Sequence, residues 1–220
     1  MPESEDALDD LARREIIRYS KRLVTEGLIT GTAGNISLRR GDGLLITPSG
    51  LPYDTLTPSD VCLVDSSGVA AHGTSREPSS ELQLHRAAYA AAPKAAAVVH
   101  FHGLRSTAVA TTRPELPVIH YYAVKLGGTV PVVPYSTYGS QALAEDVGRA
   151  LHSRRAALMA NHGAVTVGRT LEEAFQNALL LEWLCHLYIE TAALGPARRL
   201  TEDEVAEVAG KYAARAASSR

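Results

Sequence analysis

The sequence predicts an α/β fold in one domain. Amphipathic stretches of helical period alternate with short, Val-rich runs of strand length. The Ser/Thr-x-x-Glu/Gln signature that opens helices occurs at Ser80, Thr170 and Thr201. Neither a repeat nor a linker breaks the alternation, and 220 residues suit a single substantial core.

Taken in order, Leu8, Leu11, Ile16 and Leu23 recur at helical spacing between Ala7 and Glu26, and Gly27 supplies a stop. Short strands are predicted around Asn35–Arg39, Leu44–Thr47 and Val61–Val64, separated by Gly, Pro and Ser turns. The Ser80–Gln83 capping signal opens a helix that ends before Pro93. Ala95–Val99 reads as a buried strand running into His100, followed by a short helix near Ser106–Thr111. Strands are expected around Val118–Tyr122 and Val130–Val133, then a helix from Ser140 to His152. An apolar run at Ala156–Met159 precedes a long helix from Thr170 towards Ala193 and a final one from Thr201 to about Ala214. The tail, residues 216–220, is expected to be mobile.

Charge and cysteine usage narrow the function. Lys and Arg number 22 against 24 Asp and Glu, a net charge of −2, so nothing electrostatic favours nucleic acid or an anionic membrane as partner. Cys62 and Cys185 are far apart and form no C-x-x-C, which fits small buried side chains in a reducing compartment. The acidic Met1–Asp6 segment lacks the basic and apolar regions of a signal peptide. No run approaches the roughly 18 apolar residues of a membrane span. A cytoplasmic protein is expected.

The chemistry concentrates on histidine. Residues two apart on a strand share a face, so His100 and His102 stand side by side at a strand end and offer two nitrogens to one divalent metal. His162, in Ala160-Asn161-His162-Gly163, again follows an apolar run. Three histidines with one open position form a catalytic zinc arrangement; the plainer reading is three polar residues near strand ends. Three turns have donors for a phosphate: Gly31–Asn35, Thr47–Gly50 and Pro78–Glu81, the last at a helix start. Each alone reads equally as an ordinary turn. Glu81 either complements the helix dipole or faces the metal as fourth ligand or base. His85, one turn on, is either a supporting partner or part of the helix surface or core.

Together these segments resemble the class II, zinc-dependent aldolase family that includes L-fuculose-1-phosphate aldolase and L-ribulose-5-phosphate 4-epimerase. The resemblance rests on Gly-Thr-Ala-Gly-Asn-Ile-Ser (31–37), Ile-Thr-Pro-Ser-Gly-Leu-Pro-Tyr (46–53), Pro-Ser-Ser-Glu (78–81), His-Phe-His (100–102), His-Tyr-Tyr (120–122) and Asn-His-Gly (161–163), in that order over nearly the whole chain. It implies a three-layer α/β/α fold with a central, largely antiparallel sheet. It implies zinc, with Mn2+ or Co2+ as substitutes, held by residues matching Glu81, His100, His102 and His162. The substrate phosphate would be held by those matching Asn35, Ser49, Gly50, Ser79 and Ser80. Glu81 would double as acid/base, and Tyr121 would reach across a subunit boundary to the aldehyde end of a sugar phosphate, in a homotetramer with sites at its interfaces.

The reaction implied is reversible cleavage of a phosphorylated ketose to dihydroxyacetone phosphate and an aldehyde. A methylthioribulose-1-phosphate-type dehydratase, a 4-epimerase and a non-catalytic adducin-like module are the rivals. Glu rather than Asp at position 81 favours the lyase over the epimerase. The C-terminal tyrosine of fuculose-type enzymes is displaced: Tyr212 comes about three residues early, and either substitutes from the next turn or packs the last helix. Tyr122-Ala123-Val124-Lys125 also departs from the fuculose-type pattern, and Lys125 is a candidate contact for a different substrate.

Overall fold

The computed structural model describes residues 5–71 and 76–218. The acidic Met1–Asp6 stretch lies mainly outside the described residues, as do Ser219 and Arg220. Among the described residues, eight strands form one sheet: β1 Asn35–Arg40, β2 Gly43–Ile46, β3 Cys62–Val64, β4 Ala97–Phe101, β5 Glu115–Leu116, β6 Val130–Val133, β7 Ala156–Met159 and β8 Gly163–Gly168. Their spatial order is β3-β2-β1-β4-β8-β7-β6-β5. Every neighbouring pair is antiparallel except β6 and β7. The helices are α1 Glu5–Thr25, α2 Leu82–Ala91, α3 Leu104–Thr112, α4 Gln141–Leu151, α5 Leu171–Leu194 and α6 Glu202–Ser218.

Strand alternation sorts the core into two layers. Val99 and Phe101 of β4 join Ile36 and Leu45 under Ile16 and Leu23 of α1, Val109 of α3 and Phe175 and Leu181 of α5. Val98 points the other way, to Ile46, Met159 and Val165 beneath Leu84 and Ala88 of α2 and Leu143 and Val147 of α4. The result is the expected three-layer α/β/α sandwich about a mostly antiparallel sheet. His100 shares the α2–α4 face with Val98 by the same alternation.

Several expectations need correction. Val118–Tyr122 is not a strand: the edge strand lies earlier, at Glu115–Leu116, and Tyr121–Leu126 forms a 3₁₀ turn closed by Gly127 at φ 97°. That turn follows Pro117, which cannot donate to a ladder. Strand β8 is fully buried, and its small residues Gly163 and Ala164 hid it from a periodicity reading. The Ser80–Gln83 capping box does not form. The N-cap is Glu81, whose side chain makes no cap bond, and Ser79 Oγ accepts from the Glu81 N–H instead. At Thr201 the box is complete, with Glu204 N–H donating to Thr201 Oγ1 and Thr201 N–H to Glu204 Oε2. Leu8 and Leu11 stay exposed, and α6 runs through Ser218.

Candidate metal centre and substrate cavity

The candidate ligand residues come from three places that the sheet and α2 bring together, with Asn35 of β1 beside them. His100 and His102 lie at the end of β4. Asn35, opening β1, is the register partner of His100 on one side, and Val165 of β8 on the other. His162 sits in the three-residue turn between β7 and β8, where Asn161 takes a left-handed conformation at φ 54°. Glu81 caps α2 over this end of the sheet.

Two glycines allow the approach. A Cβ on Gly34, itself at φ +94°, would stand 2.8 Å from the His100 carbonyl oxygen. One on Gly163 would stand 2.5 Å from the Phe101 carbonyl oxygen and 3.1 Å from the His102 ring. Gly163→Ala is therefore expected to cost ~1–3 kcal/mol through overpacking against a backbone atom. Thermal denaturation should show a melting temperature lower by ~2–4 °C per kcal/mol at this chain length.

The four side chains present one ligand atom each, all within 4.8 Å of one another. The three imidazoles meet edge to face in pairs, with centroids 4.8, 5.0 and 5.0 Å apart. His100 Nδ1 lies 2.9 Å from the Ala164 carbonyl, to which it donates, so Nε2 points into the cluster. There it lies 2.9 Å from His102 Nε2 and 2.8 Å from Glu81 Oε2. His162 Nε2 is 3.3 Å from Glu81 Oε1, yet that oxygen has no hydrogen-bond partner although it is buried. Converging nitrogens beside an orphaned carboxylate oxygen suit a divalent cation: the donors are those of zinc, and each would be met by one charge.

The electrostatics point the same way. Burial, then the charge at His100 and His162, pushes His102 down to about 3; burial and His100 take His162 down to about 4. Both are thus neutral imidazoles at ordinary pH, the form that ligates metal. Burial opposes ionisation of Glu81, but the imidazoles of His100 and His162 and the Asn35 amide outweigh it and hold the carboxyl below its usual range.

Above the cluster opens a cavity of about 390 Å³. The phosphate candidates Asn35, Ser49, Gly50, Ser79 and Ser80 all line it, together with Glu81, His102 and His162. The turns that carry them are tied to one another. Ile36 N–H donates to Thr47 Oγ1, Ser79 N–H to the Thr47 carbonyl, and Ser49 N–H to the Glu77 carbonyl. The Tyr53 hydroxyl donates to the Gly34 carbonyl at 2.5 Å.

Thr32 of the Gly31–Asn35 turn lines the cavity too, whereas sequence reasoning gave no role to Tyr135, Ser136, Tyr138 and Asn161 in its wall. Tyr135 and Tyr138 are 64% and 66% exposed, and two such tyrosines in one polar loop after β6 were an available signal. His85 also proves more than helix surface: it is fully buried behind Asn35.

Tyr121 and Tyr212 do not line this cavity. Tyr121 is exposed and stacks on His120 with centroids 4.6 Å apart. Lys125 lies 4.7 Å over the Tyr122 ring and 5.6 Å over the Tyr212 ring, so Tyr121, Tyr122, Lys125 and Tyr212 form a second cluster where α6 meets the 3₁₀ turn. Among the described residues no helix is long and apolar enough to cross a membrane.

Comparison with known proteins converges on one family. Residues 14–189 match the family model described as the class II aldolase and adducin N-terminal domain. The chain is 41% identical over 201 residues to the L-fuculose phosphate aldolase of Escherichia coli (strain K12), covering 90% of this chain and 93% of that one. It is 38% identical over 213 residues to the 5-methylthioribulose-1-phosphate/5-deoxyribulose-1-phosphate aldolase of Rhodospirillum rubrum, covering 96% and 94%. Among solved structures, an L-fuculose 1-phosphate aldolase superposes with a TM-score of 0.88 at 32% identity, covering 96% of this chain and 97% of the other.

Proposed function

Because the chain belongs to the class II aldolase and adducin N-terminal domain family and is an aldehyde-lyase, we propose that it reversibly cleaves a phosphorylated ketose to dihydroxyacetone phosphate and an aldehyde. One observation carries the reading: a cluster of three imidazoles and a carboxylate shares a cavity with three donor-rich turns. Such a cavity would take a metal and a dianion a few bonds apart, which supports a ketose 1-phosphate as substrate.

In this reading Glu81, His100, His102 and His162 hold the ion, zinc by its three borderline imidazole donors and one carboxylate, with Mn2+ or Co2+ as substitutes. When bound, it supplies Lewis acidity to a ketose carbonyl and offsets the negative charge left by breaking C3–C4. Asn35, Ser49, Gly50, Ser79 and Ser80 bind the phosphate, and this remote binding orients C3 and C4 towards the cluster. Glu81 moves the proton of the dihydroxyacetone phosphate half, with Oε1 beside His162 but free of hydrogen bonds.

Tyr121 and Tyr212 enter as residues of a neighbouring subunit. Their distance from the chain's own cavity supports a homotetramer with sites at its interfaces, Tyr121 acting at the C4 oxygen. Two free, buried cysteines support a cytoplasmic setting.

Fuculose-type and methylthioribulose-type relatives match over similar shares of the chain, so the aldehyde is the open variable. The test is dihydroxyacetone phosphate release by zinc-loaded protein from L-fuculose 1-phosphate, 5-deoxyribulose 1-phosphate and 5-methylthioribulose 1-phosphate. Release is expected from at least one, and the preferred ketose names the aldehyde. No release from metal-replete protein, with water loss or C4 inversion in its place, would replace this reading by a dehydratase or epimerase.

A further inference from the structure

Behind Glu81, a line of buried polar side chains runs from the cavity into the core between β1 and α2. Asn35 Nδ2 donates to Glu81 Oε2 at 3.1 Å. Asn35 Oδ1 lies 2.5 Å from His85 Nε2, and His85 Nδ1 lies 2.6 Å from Ser37 Oγ. Ser37 Oγ lies 2.9 Å from the Tyr89 hydroxyl. Glu81, His85 and Tyr89 succeed one another at four-residue spacing along one face of α2, and Asn35 and Ser37 share one face of β1. His85 and Ser37 are fully buried.

Each link has one direction. As a metal ligand Glu81 is a carboxylate and only accepts, so Asn35 turns its nitrogen to Glu81 and its oxygen to His85. That oxygen also only accepts, so His85 carries its proton on Nε2. Burial pushes His85 down to about 3, which makes it neutral. Its Nδ1 therefore accepts from the Ser37 hydroxyl, and Ser37 in turn accepts from Tyr89. An inverted Asn35 amide would set a carbonyl oxygen against the carboxylate and present the same oxygen to a phosphate. Both contacts would be repulsive.

We propose that His85 is a positioning residue, which locks the Asn35 amide in one orientation. Glu81 Oε2 is thereby engaged, Oε1 is left as the oxygen offered to the cavity, and the second Asn35 N–H is directed to the phosphate. The inference rests on the ligand role given to Glu81 above and deepens it: one buried imidazole tunes both the metal ligand and the anion clamp.

The first test is the ring ¹⁵N spectrum of zinc-loaded wild-type protein. It should show His85 as the neutral Nε2–H tautomer across neutral pH; an Nδ1–H tautomer or an imidazolium overturns the proposal. The second compares His85→Phe, which keeps ring volume without donor or acceptor, with His85→Gln, whose amide nitrogen can reach the Asn35 oxygen. Loss of an orienting partner typically weakens metal binding by about 10–100-fold. Chelator competition should show that loss in His85→Phe, together with weaker binding of inorganic phosphate by titration calorimetry, and substantial recovery of both in His85→Gln. A folded His85→Phe protein with wild-type zinc and phosphate affinities overturns the proposal; should it not fold, the spectrum decides alone. Neither readout needs turnover, so failure on every ketose phosphate would count against the substrate reading and not against this one.

Discussion

Replacing Glu81 with Gln is expected to reduce kcat by about 10²–10⁴-fold, the usual contribution of a positioned acid/base group. The substitution keeps the shape and an oxygen for the Asn35 amide, which now donates to Glu81 Oε2 at 3.1 Å. It removes the negative charge beside His100 and the group able to exchange a proton. Three imidazoles remain to hold the metal, so zinc content by atomic emission should stay near one per chain, with an unchanged circular dichroism spectrum. Turnover within tenfold of wild type, at full metal content, would remove Glu81 from the chemistry.

A loss at least as large is expected from His102→Ala. His102 contributes one of four convergent ligand atoms yet is only part-buried, so its removal breaks the centre without opening the core. Metal-assisted charge stabilisation is worth several kcal/mol, which corresponds to a fall of about three decades or more in turnover. Chelated wild-type protein should fall to the same floor and recover on adding zinc, whereas the variant should not recover. Stability measured without metal should hold steady or rise, because three imidazole rings within 5.0 Å of each other are arranged for an ion rather than for each other. A metal-free variant that is much less stable than metal-free wild type would instead assign His102 to the fold.

Much of this was legible in the sequence, for definite physical reasons. His100 and His102 were readable as neighbours because strand geometry fixes period two, and their Nε2 atoms lie 2.9 Å apart although His102 falls just past the end of β4. Most helices were readable from apolar spacing and from caps such as Thr170 and Thr201. What failed depended on tertiary context. Ser80 had the right local pattern for a cap, but Asn35 and His100, 46 and 19 positions away in the chain, claim the Glu81 carboxylate and reset the helix start. β8 offered too little side-chain contrast to announce itself. The direction of Tyr121 belongs to no local pattern, and its placement beside Tyr122, Lys125 and Tyr212 follows from where α6 docks. The buried Tyr89–Ser37–His85–Asn35 line crosses between β1 and α2, so no spacing rule within one element would reveal it.

The antiparallel register of β1, β4 and β8 also sets an order of events in folding. The pairs that assemble the centre, Asn35 with His100 and His100 with Val165, each close a loop of more than sixty residues. Non-local pairings of this kind form late, since chain entropy must be given up before they gain anything. On the proposed ligand set, an ion would therefore find its four partners together only in the finished fold. It acts on the equilibrium by mass action, adding about 2.7 kcal/mol at a hundredfold excess over its Kd. On that reading metal supply would govern the folded population as well as the chemistry, and a metal-starved protein should lose resistance to proteolysis along with its turnover.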